Sequence, residues 1–446
     1  MYDFIVLGGG PAGYTAAERA AASGLSTLLI ESGPLGGTCL NVGCIPTKSL
    51  LAAGKAYRHA AEAAKFGVKV EGLSFDFGAA SAWKDKTVET LRKGIAFTLK
   101  KLGVEVYAGK GRLLGGGRLA LEDGREVEGK DILVATGSSP ALPPVPGLEG
   151  NPRVVTSTGL LSLPEPPRRL AIVGGGVIGI EFASFFSAIG TEVTVVEMLP
   201  EILPFMDAEL VSIFRRSLRG IKIETGARVE AIEGGSLRYS KGEEKKSVEA
   251  DLILVATGRR PNIEGIGLEE ANVAFTRRGI TVDDCLRTNA DGVWAAGDVT
   301  GRALLAHTAS AMGEAVVEGI GGKPRSIAWQ ALPWVVYGEP ECAGCGMTEA
   351  AAKEAGIETR KAVLPARANG RFLAENGVTG QGGVKLLAEA GSGRLLGLTI
   401  VSPYAGEMIW GAQSLIARGA TVEELKGTIF PHPMVSELIR EAALAL

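Results

Sequence analysis

With 446 residues, 46% of them hydrophobic and 22% charged, the chain has the length and composition of an ordinary globular protein of two to four domains. Its formal net charge of −3 excludes a basic field that could hold nucleic acid or an anionic membrane, and no uncharged apolar stretch approaches the ~18 residues of a membrane-spanning helix. Because five cysteines are too few for a disulfide framework and the N-terminus lacks a signal-peptide pattern, we expect a cytoplasmic protein whose close cysteine pair is catalytic or metal-binding.

The first element is a dinucleotide-binding pattern in residues 4–32, "FIVLGGGPAGYTAAERAAASGLSTLLIES". It predicts a buried strand, a glycine turn, an amphipathic helix and a second strand that ends in Glu31. Gly8, Gly10 and Gly13 have the G-x-G-x-x-G spacing, and Glu31 lies 23 residues after the first glycine. The glycines let backbone approach a pyrophosphate at the helix N-terminus, while the glutamate accepts hydrogen bonds from ribose hydroxyls.

A cysteine pair follows this strand in residues 36–51, "GGTCLNVGCIPTKSLL". The step from Cys39 to Cys44 can close a small disulfide ring. Pro46 suits the first turn of a helix, which places Cys44 near a helix N-terminus that stabilises a thiolate. Lys48 falls one turn later, where its ammonium could face both a thiolate and a cofactor. The segment therefore predicts a redox pair beside the first nucleotide.

The dinucleotide pattern returns in residues 170–198, "LAIVGGGVIGIEFASFFSAIGTEVTVVEM", at an offset of 166 residues. Gly174, Gly176 and Gly179 repeat the three glycines, and Glu197 repeats the acid. No cysteine segment follows this copy. Because Glu197 would repel a 2′-phosphate and no basic cluster follows it, the second site is expected to take NAD rather than NADP.

A second duplication marks the ends of two nucleotide-binding domains. The hexapeptide "ILVATG" occupies 132–137 and again 253–258. Each copy reads as a short buried strand that ends in a turn. We therefore predict an α/β protein with two doubly wound, Rossmann-like domains, each opening with a glycine fingerprint and closing with ATG.

The predicted domain boundaries follow from these repeats. The first domain covers 1–145, with a helical excursion near 50–100, and the second covers 146–265. A strand in "TNADGVWAAGDVTG" ends at Asp298 and completes the first domain within about 266–335. A C-terminal domain of mixed strands and helices is expected at 336–446.

A histidine near the C-terminus is a candidate general base. His432 lies between Pro431 and Pro433, which restrict its backbone, and its ordinary titration range suits proton transfer near neutral pH. Glu437 could accept from the other ring nitrogen and select the tautomer. The alternative is a structural histidine in a proline turn.

Five other cysteines and histidines are expected to matter less. Cys342 and Cys345 could join the first pair in a four-cysteine zinc site, but small buried side chains are the expectation for both and for Cys285. His59 is expected to be solvated on a helix, and His307 to shape the pocket near the first nucleotide.

Seven motifs together resemble the pyridine nucleotide-disulfide oxidoreductases over essentially the whole chain and in the same order. They are "GGTCLNVGCIPTKSLL", "VGGGVIGIEFAS", "ATGRRPN", "AAGDV", "LLAHTA", "VVYGEPECAGCGMTE" and "PHPMVSELIREA". The resemblance implies that the first domain binds FAD and the second binds NAD. It also implies that the C-terminal domain is an α+β dimerisation domain of a homodimer.

The resemblance implies roles for the residues around the disulfide. Cys39 would exchange with the substrate, and Cys44 would contact the flavin as a thiolate. Lys48 and Glu181 would form an ion pair beside the flavin.

The resemblance also implies a cofactor site and a proton-transfer pair. Asp298 would bind the ribityl or phosphate region of FAD, and the backbone near Ala306 would meet the pyrimidine side of the flavin. His432, before a cis proline bond and oriented by Glu437, would act as base at the partner subunit's disulfide. The residues expected to bind the two cofactors are Gly8, Gly10, Gly13, Glu31, Thr38, Lys48, Gly111, Thr136, Asp298, Ala306, Gly174, Gly176, Gly179, Glu197, Val229 and Gly258.

The activity implied is oxidation of dihydrolipoyl groups carried by the lipoyl-bearing acyltransferase of 2-oxoacid dehydrogenase complexes, with reduction of NAD⁺. The chain departs from the family's usual pattern at Met434 and Val435 and in the segment 308–312, which lie where pocket lining is expected. Two alternatives stay open: a related NAD(P)H-dependent disulfide reductase, and a non-catalytic flavoprotein scaffold of such a complex.

Overall fold

The computed structural model describes all of residues 1–446, and its first part is a parallel sheet with helices packed against one face and a β-hairpin and residues 263–280 against the other. The strand order β3-β2-β1-β6 is parallel, and an antiparallel β4–β5 hairpin extends the sheet beyond β6. The strands are β1 (Tyr2–Leu7), β2 (Thr27–Glu31), β3 (Glu105–Ala108), β4 (Gly111–Gly115), β5 (Arg118–Leu121), β6 (Glu126–Val134) and β7 (Ser138–Pro140), and the helices are α1 (Pro11–Ala22), α2 (Gly37–Val42), α3 (Cys44–Ala61) and α4 (Phe77–Lys101). The long helices α3 and α4 form the predicted helical excursion.

The second part repeats this architecture. Its parallel sheet has the order β11-β10-β9-β15-β8, with an antiparallel β12-β13-β14 sheet beside it, and β16 pairs with β7 of the first part. The strands are β8 (Val154–Val155), β9 (Arg169–Val173), β10 (Glu192–Val196), β11 (Ile221–Glu224), β12 (Ala227–Glu233), β13 (Ser236–Lys241), β14 (Glu244–Glu249), β15 (Leu252–Val255) and β16 (Arg259–Pro261), and the helices are α5 (Ser157–Leu160), α6 (Val177–Ala188) and α7 (Ala208–Ser217).

The chain then returns to the first sheet. β17 (Phe275–Thr276) and β18 (Gly279–Ile280) form a small hairpin, β19 (Val293–Ala295) pairs in parallel with β6, and α8 (Ala306–Ile320) packs along α1. The predicted completion of the first sheet by a later strand is therefore present.

The C-terminal part is an antiparallel sheet of order β20-β21-β24-β23-β22 covered by helices. Its strands are β20 (Trp334–Val336), β21 (Glu341–Gly346), β22 (Thr359–Pro365), β23 (Gly383–Glu389) and β24 (Leu395–Ser402), and its helices are α9 (Glu349–Glu354), α10 (Gly370–Asn376), α11 (Ala405–Ala417), α12 (Val422–Gly427) and α13 (Glu437–Leu444). The predicted α/β class with two doubly wound sheets and an α+β C-terminal part is confirmed. No helix combines the length and apolar character that crossing a membrane requires.

The two glycine fingerprints have the same backbone geometry, which explains why their first and third positions require glycine. Gly8 and Gly174 have φ of +113° and +111°, a region that side chains disfavour. A Cβ on Gly13 would overlap the carbonyl oxygen of Gly8, and a Cβ on Gly179 would overlap that of Gly174. These two glycines therefore let α1 and α6 pack closely against their strands.

The glycine turns give a matched pair of substitutions. We expect Gly179→Ala to destabilise the second part by about 1–3 kcal/mol because its methyl group has no space. Gly176→Ala serves as the control, since a Cβ there meets no atom within 4 Å and the φ of −77° suits alanine. Thermal unfolding should show a midpoint lower by roughly 2–4 °C per kcal/mol for Gly179→Ala alone. Equal midpoints for the two variants would contradict the close-packing account.

Candidate active site

A cavity of about 2260 Å³ lies where the two doubly wound sheets and the C-terminal part meet. This is more than twice the roughly 300–1,000 Å³ of an ordinary small-molecule pocket. Most of the predicted cofactor residues line it, namely Gly8, Gly10, Glu31, Thr38, Lys48, Gly111, Thr136, Gly174, Gly176, Glu197, Val229, Gly258, Asp298 and Ala306. Gly13 and Gly179 do not line the cavity. They lie within α1 and α6 and face the carbonyl oxygens of Gly8 and Gly174.

Cys39 and Cys44 form a disulfide in the wall of this cavity. Cys39 lies in α2, Cys44 is the first residue of α3, and their Cα atoms are 4.7 Å apart. The prediction that Cys44 lies at a helix N-terminus is confirmed, so the positive end of the α3 dipole faces its sulfur. A disulfide at this place makes the pair redox-capable.

Asn41, which the sequence interpretation missed, connects α2 to the loop that precedes Cys39. Its Nδ2 donates to the carbonyl oxygens of Pro34, Leu35 and Gly37 at 3.1, 3.0 and 2.9 Å. The Nε of Arg92 donates to its Oδ1 at 3.0 Å. An asparagine inside a Gly-rich cysteine segment is the signal that could have identified it.

The predicted Lys48–Glu181 ion pair is present and joins two domains. The Nζ of Lys48 lies 3.0 and 2.8 Å from the two carboxylate oxygens of Glu181, whose side chain is only 5% exposed. Tyr337 adds a third domain: its backbone N–H donates to Glu181 at 3.0 Å, and its ring centroid lies 4.5 Å from the ammonium. Burial raises the pKa of the Tyr337 phenol, and nearby carboxylates add to the effect. The phenol therefore stays neutral beside the pair at neutral pH.

The two fingerprint glutamates make matching contacts with their glycine turns. Glu31 accepts hydrogen bonds from the backbone N–H of Gly9 and of Gly33, both at 2.6 Å. Glu197 accepts from Gly175 at 2.6 Å and from Leu199 at 2.7 Å. Each carboxylate keeps acceptor capacity, because two oxygens offer about four lone-pair positions. Both are therefore oriented and still able to bind ribose hydroxyls.

Asp298 lies in a partly buried polar network at the expected first nucleotide site. Burial raises the pKa of its carboxyl, while the hydroxyl of Ser138 and the charge of Arg259 oppose that shift. The Arg259 guanidinium donates to the Ser138 hydroxyl at 2.7 Å, to its carbonyl at 2.6 Å and to the Thr38 hydroxyl at 3.3 Å. Arg259 and Ser138, which the sequence interpretation missed, each follow an ATG turn. They connect both turns to the residue before Cys39.

His432 and Glu437 are paired as predicted but lie outside the cavity. The Nδ1 of His432 is 3.0 and 3.2 Å from the carboxylate oxygens of Glu437, and the His432–Pro433 bond is cis. The backbone N–H of Met434 lowers the pKa of Glu437, and His432 contributes to the same shift. Because an ionised carboxylate only accepts, Nδ1 carries the hydrogen and Nε2 is the free acceptor. The His432 side chain is 81% exposed, so one chain alone does not bring it to the disulfide.

The remaining cysteines and histidines lie apart from the disulfide or at its margin. Cys342 and Cys345 are buried in β21, as expected, and the disulfide occupies both sulfurs of the first pair. The expectation that Cys285 is buried is wrong, because this side chain is partly exposed. His307 lines the cavity and its Nε2 lies 2.8 Å from the carbonyl oxygen of Pro333. His59 is 58% exposed, but it is not merely solvated, since its Nε2 lies 2.6 Å from Glu339.

The matching family profiles and the similar proteins all point to one family. The profile of the pyridine nucleotide-disulphide oxidoreductases matches residues 2–313, and that of their dimerisation domain matches 332–443. The chain is 37% identical to the dihydrolipoyl dehydrogenase of Geobacillus stearothermophilus over 99% of this chain and 95% of the relative. It is 40% identical to that of Thermus scotoductus over 100% and 97% of the two chains.

Two solved structures have the same fold over nearly the whole chain. LpdA from Mycobacterium tuberculosis superposes with a TM-score of 0.90 at 30% identity, covering 99% of each chain. The HOCl-induced flavoprotein disulfide reductase RclA from Escherichia coli superposes with a TM-score of 0.89 at 30% identity, covering 100% of each chain.

The thiols should separate into reactive and inert classes. Burial raises the pKa of Cys345 to about 12, so about one thiol in 10⁴ is ionised at pH 8, and burial raises the pKa of Cys342 well above its usual value. We expect iodoacetamide at pH 8 to leave both unmodified in the folded protein, while prior reduction exposes Cys39 to labelling. Peptide mass spectrometry before and after reduction checks this, with the partly exposed Cys285 as the reactive control. Labelling of Cys342 without unfolding would contradict it.

Proposed function

The chain belongs to the pyridine nucleotide-disulphide oxidoreductase family, and from that premise we propose that it oxidises dihydrolipoyl groups carried by the acyltransferase of a 2-oxoacid dehydrogenase complex and reduces NAD⁺. The observation that carries the proposal is the Cys39–Cys44 disulfide in the wall of a cavity shared with two glycine fingerprints. Similarity to dihydrolipoyl dehydrogenases along the whole chain supports the choice of dithiol.

Its cofactors are FAD and NAD, and the residues of the first glycine turn fit FAD. Gly10 precedes α1 with no side chain above the helix N-terminus, and Glu31 is oriented for a ribose. Asp298 provides a partly buried carboxylate at the same site. At the equivalent position in the second turn, a Cβ on Gly176 would meet no atom within 4 Å, and this open space suits a pyrophosphate. When bound, FAD would supply two-electron redox chemistry between the reduced Cys39–Cys44 pair and NAD⁺.

The chain's own residues perform a thiol–disulfide exchange. A substrate thiolate attacks the sulfur of Cys39, the Cys39–Cys44 bond breaks, and Cys44 leaves as a thiolate. The N-terminus of α3 stabilises that negative charge. The second substrate thiol then attacks the mixed disulfide, which releases cyclic disulfide and leaves both cysteines reduced. The substrate loses two electrons and two protons: the disulfide gains the electrons, one proton goes to His432, and the other goes to Cys39 as it leaves the mixed disulfide.

The proton from the substrate thiol goes to His432. Its Nε2 is free because Glu437 binds Nδ1, and Glu437 keeps its negative charge because its pKa is lowered. In one chain this histidine lies outside the cavity. We therefore infer that His432 acts at the disulfide of a second copy, in the homodimer that the dimerisation domain supports.

The second site is proposed to select NAD⁺ by charge. The Glu197 carboxylate is oriented by Gly175 and Leu199 and would repel a 2′-phosphate. The cysteine usage still predicts a cytoplasmic location.

The deciding experiment is an anaerobic titration of the purified protein with dihydrolipoamide, followed by NAD⁺. We expect dihydrolipoamide to reduce the bound flavin and NAD⁺ to restore it with formation of NADH. NADP⁺ in place of NAD⁺ is the specificity control, and Cys39→Ser should abolish the reduction while Cys285→Ser keeps it. A flavin that NADH reduces but dihydrolipoamide does not would favour reduction of another disulfide, the second candidate that the RclA similarity suggests.

The proposed proton transfer gives a further prediction. We expect His432→Ala to slow dihydrolipoamide oxidation by about 10²–10⁴-fold because no general base remains. Glu437→Gln should also slow it, since the amide no longer selects the tautomer. The matched control is His59→Ala, which removes a surface histidine that is hydrogen-bonded to Glu339 on another part of the chain. An unchanged rate for His432→Ala in steady-state assays would rule out the base assignment.

A further inference from the structure

Lys385 is a lysine in the interior of the C-terminal sheet. It lies on β23 between β22 and β24, and its side chain is 2% exposed. Lysine is almost never buried to this degree unless it is paired. Its Nζ lies 2.9 Å from Asp207, 3.0 Å from Glu209 and 2.7 Å from Glu349. The three donors of the ammonium are therefore all used.

The three carboxylates come from two different parts of the molecule. Asp207 precedes α7 and Glu209 lies in its first turn, so both belong to the second doubly wound part. Glu349 lies in the first turn of α9 and belongs with Lys385 to the C-terminal part. Asp207 also accepts from the backbone N–H of Glu349 at 3.0 Å and from the Thr399 hydroxyl at 3.4 Å. These contacts tie the start of α7 to the C-terminal sheet.

The cluster stays charged near neutral pH. Burial alone would lower the pKa of Lys385, but hydrogen bonds to the three carboxylates raise it above its ordinary value. Burial alone would raise the pKa of Glu209, but its backbone hydrogen bond and the two lysines lower it to about 2. Lys361 lies at the edge of the cluster, 43% exposed, and bonds to Glu209 and Glu349 without reaching Asp207.

The segment 198–206, which ends at this cluster, forms part of the second nucleotide site. It begins directly after Glu197, whose carboxylate accepts from Gly175. In the middle, the backbone N–H of Leu203 donates to the carbonyl of Gly175 at 3.0 Å. Near its end, Phe205 lines the cavity and contacts Trp334 edge-on, with ring centroids 5.0 Å apart. The segment therefore lies against the glycine turn on one side and the C-terminal part on the other.

We propose that Lys385 is a positioning residue for the NAD⁺ site: by holding Asp207 it fixes the segment 198–206 against the second glycine turn. The inference rests on the proposed NAD⁺ site and is independent of which dithiol is the substrate. Lys385 touches neither nucleotide nor disulfide, so its effect reaches the cofactor through Asp207 and the segment before it. The ammonium also fills the centre of the three carboxylates, so they form an interdomain contact and not a free acidic site.

The test measures NAD⁺ binding by calorimetry in the FAD-loaded protein, with Lys385→Met as the principal variant. We expect the Kd for NAD⁺ to rise about tenfold because the segment beside the glycine turn loses its anchor. Bound flavin per chain and reduction of the Cys39–Cys44 disulfide by dithiothreitol should stay as in the wild type. In steady state, KM for NAD⁺ should rise more than kcat falls.

Two variants make the result decisive. Lys361→Met removes a cation from the same glutamates at the surface, and we expect it to leave the Kd for NAD⁺ unchanged. Asp207→Asn keeps the size of the side chain but removes its charge, so it should weaken NAD⁺ binding in the same direction, and it decides the matter if Lys385→Met does not fold. A wild-type Kd in Asp207→Asn would overturn the proposal, as would equal effects of Lys385→Met and Lys361→Met. Failure of the wild type to bind NAD⁺ would instead remove the proposed NAD⁺ site.

Discussion

The ion pair between Lys48 and Glu181 is the contact on which the arrangement of the site depends. Lys48 belongs to α3, which begins at the redox cysteine Cys44, and Glu181 belongs to α6, which begins at the second glycine turn. Tyr337 brings in the C-terminal part by donating its backbone N–H to the same carboxylate. The buried Glu181 carboxylate thus connects the helix of the disulfide, the helix of the second glycine turn and the third domain. Both carboxylate oxygens accept hydrogen bonds from these partners, which offsets part of the cost of burying the charge.

Close packing gives this ion pair its fixed geometry. α3 and α6 cross where Gly54 faces Phe185, and a Cβ on Gly54 would come within 3.1 Å of that ring. The helices therefore approach closely one and a half turns beyond Lys48. Packing of this kind has few alternative arrangements, because a protein interior leaves little free volume. The separation between the disulfide and the second glycine turn is consequently set by backbone and ring contacts, while the ion pair sets their relative orientation.

The parts of the site that the sequence predicts are those whose residues lie close together along the chain. The glycine fingerprints, the Cys39–Cys44 segment and the His432–Glu437 pair are each contained in one short stretch, so spacing alone reveals them. The Lys385 cluster joins residues 178 and 176 positions apart, and nothing near Lys385 in the sequence announces its partners. Arg259 and Tyr337 lie inside motifs that indicate the family but do not reveal the partners of these two residues. Long-range polar contacts depend on domain packing, which periodicity does not encode.

In the proposed mechanism, the groups for redox chemistry and for proton transfer lie in different places on the chain. The disulfide faces the cavity, whereas His432 stands on the C-terminal part with its ring exposed and its Nε2 unused. An exposed histidine whose other nitrogen is fixed by a carboxylate of lowered pKa is prepared to accept a proton from outside its own chain. A homodimer would supply that contact twice, because a two-fold axis repeats each contact in both directions. In the proposed mechanism each copy would therefore need its own Glu437, since each histidine would serve the neighbouring disulfide rather than its own.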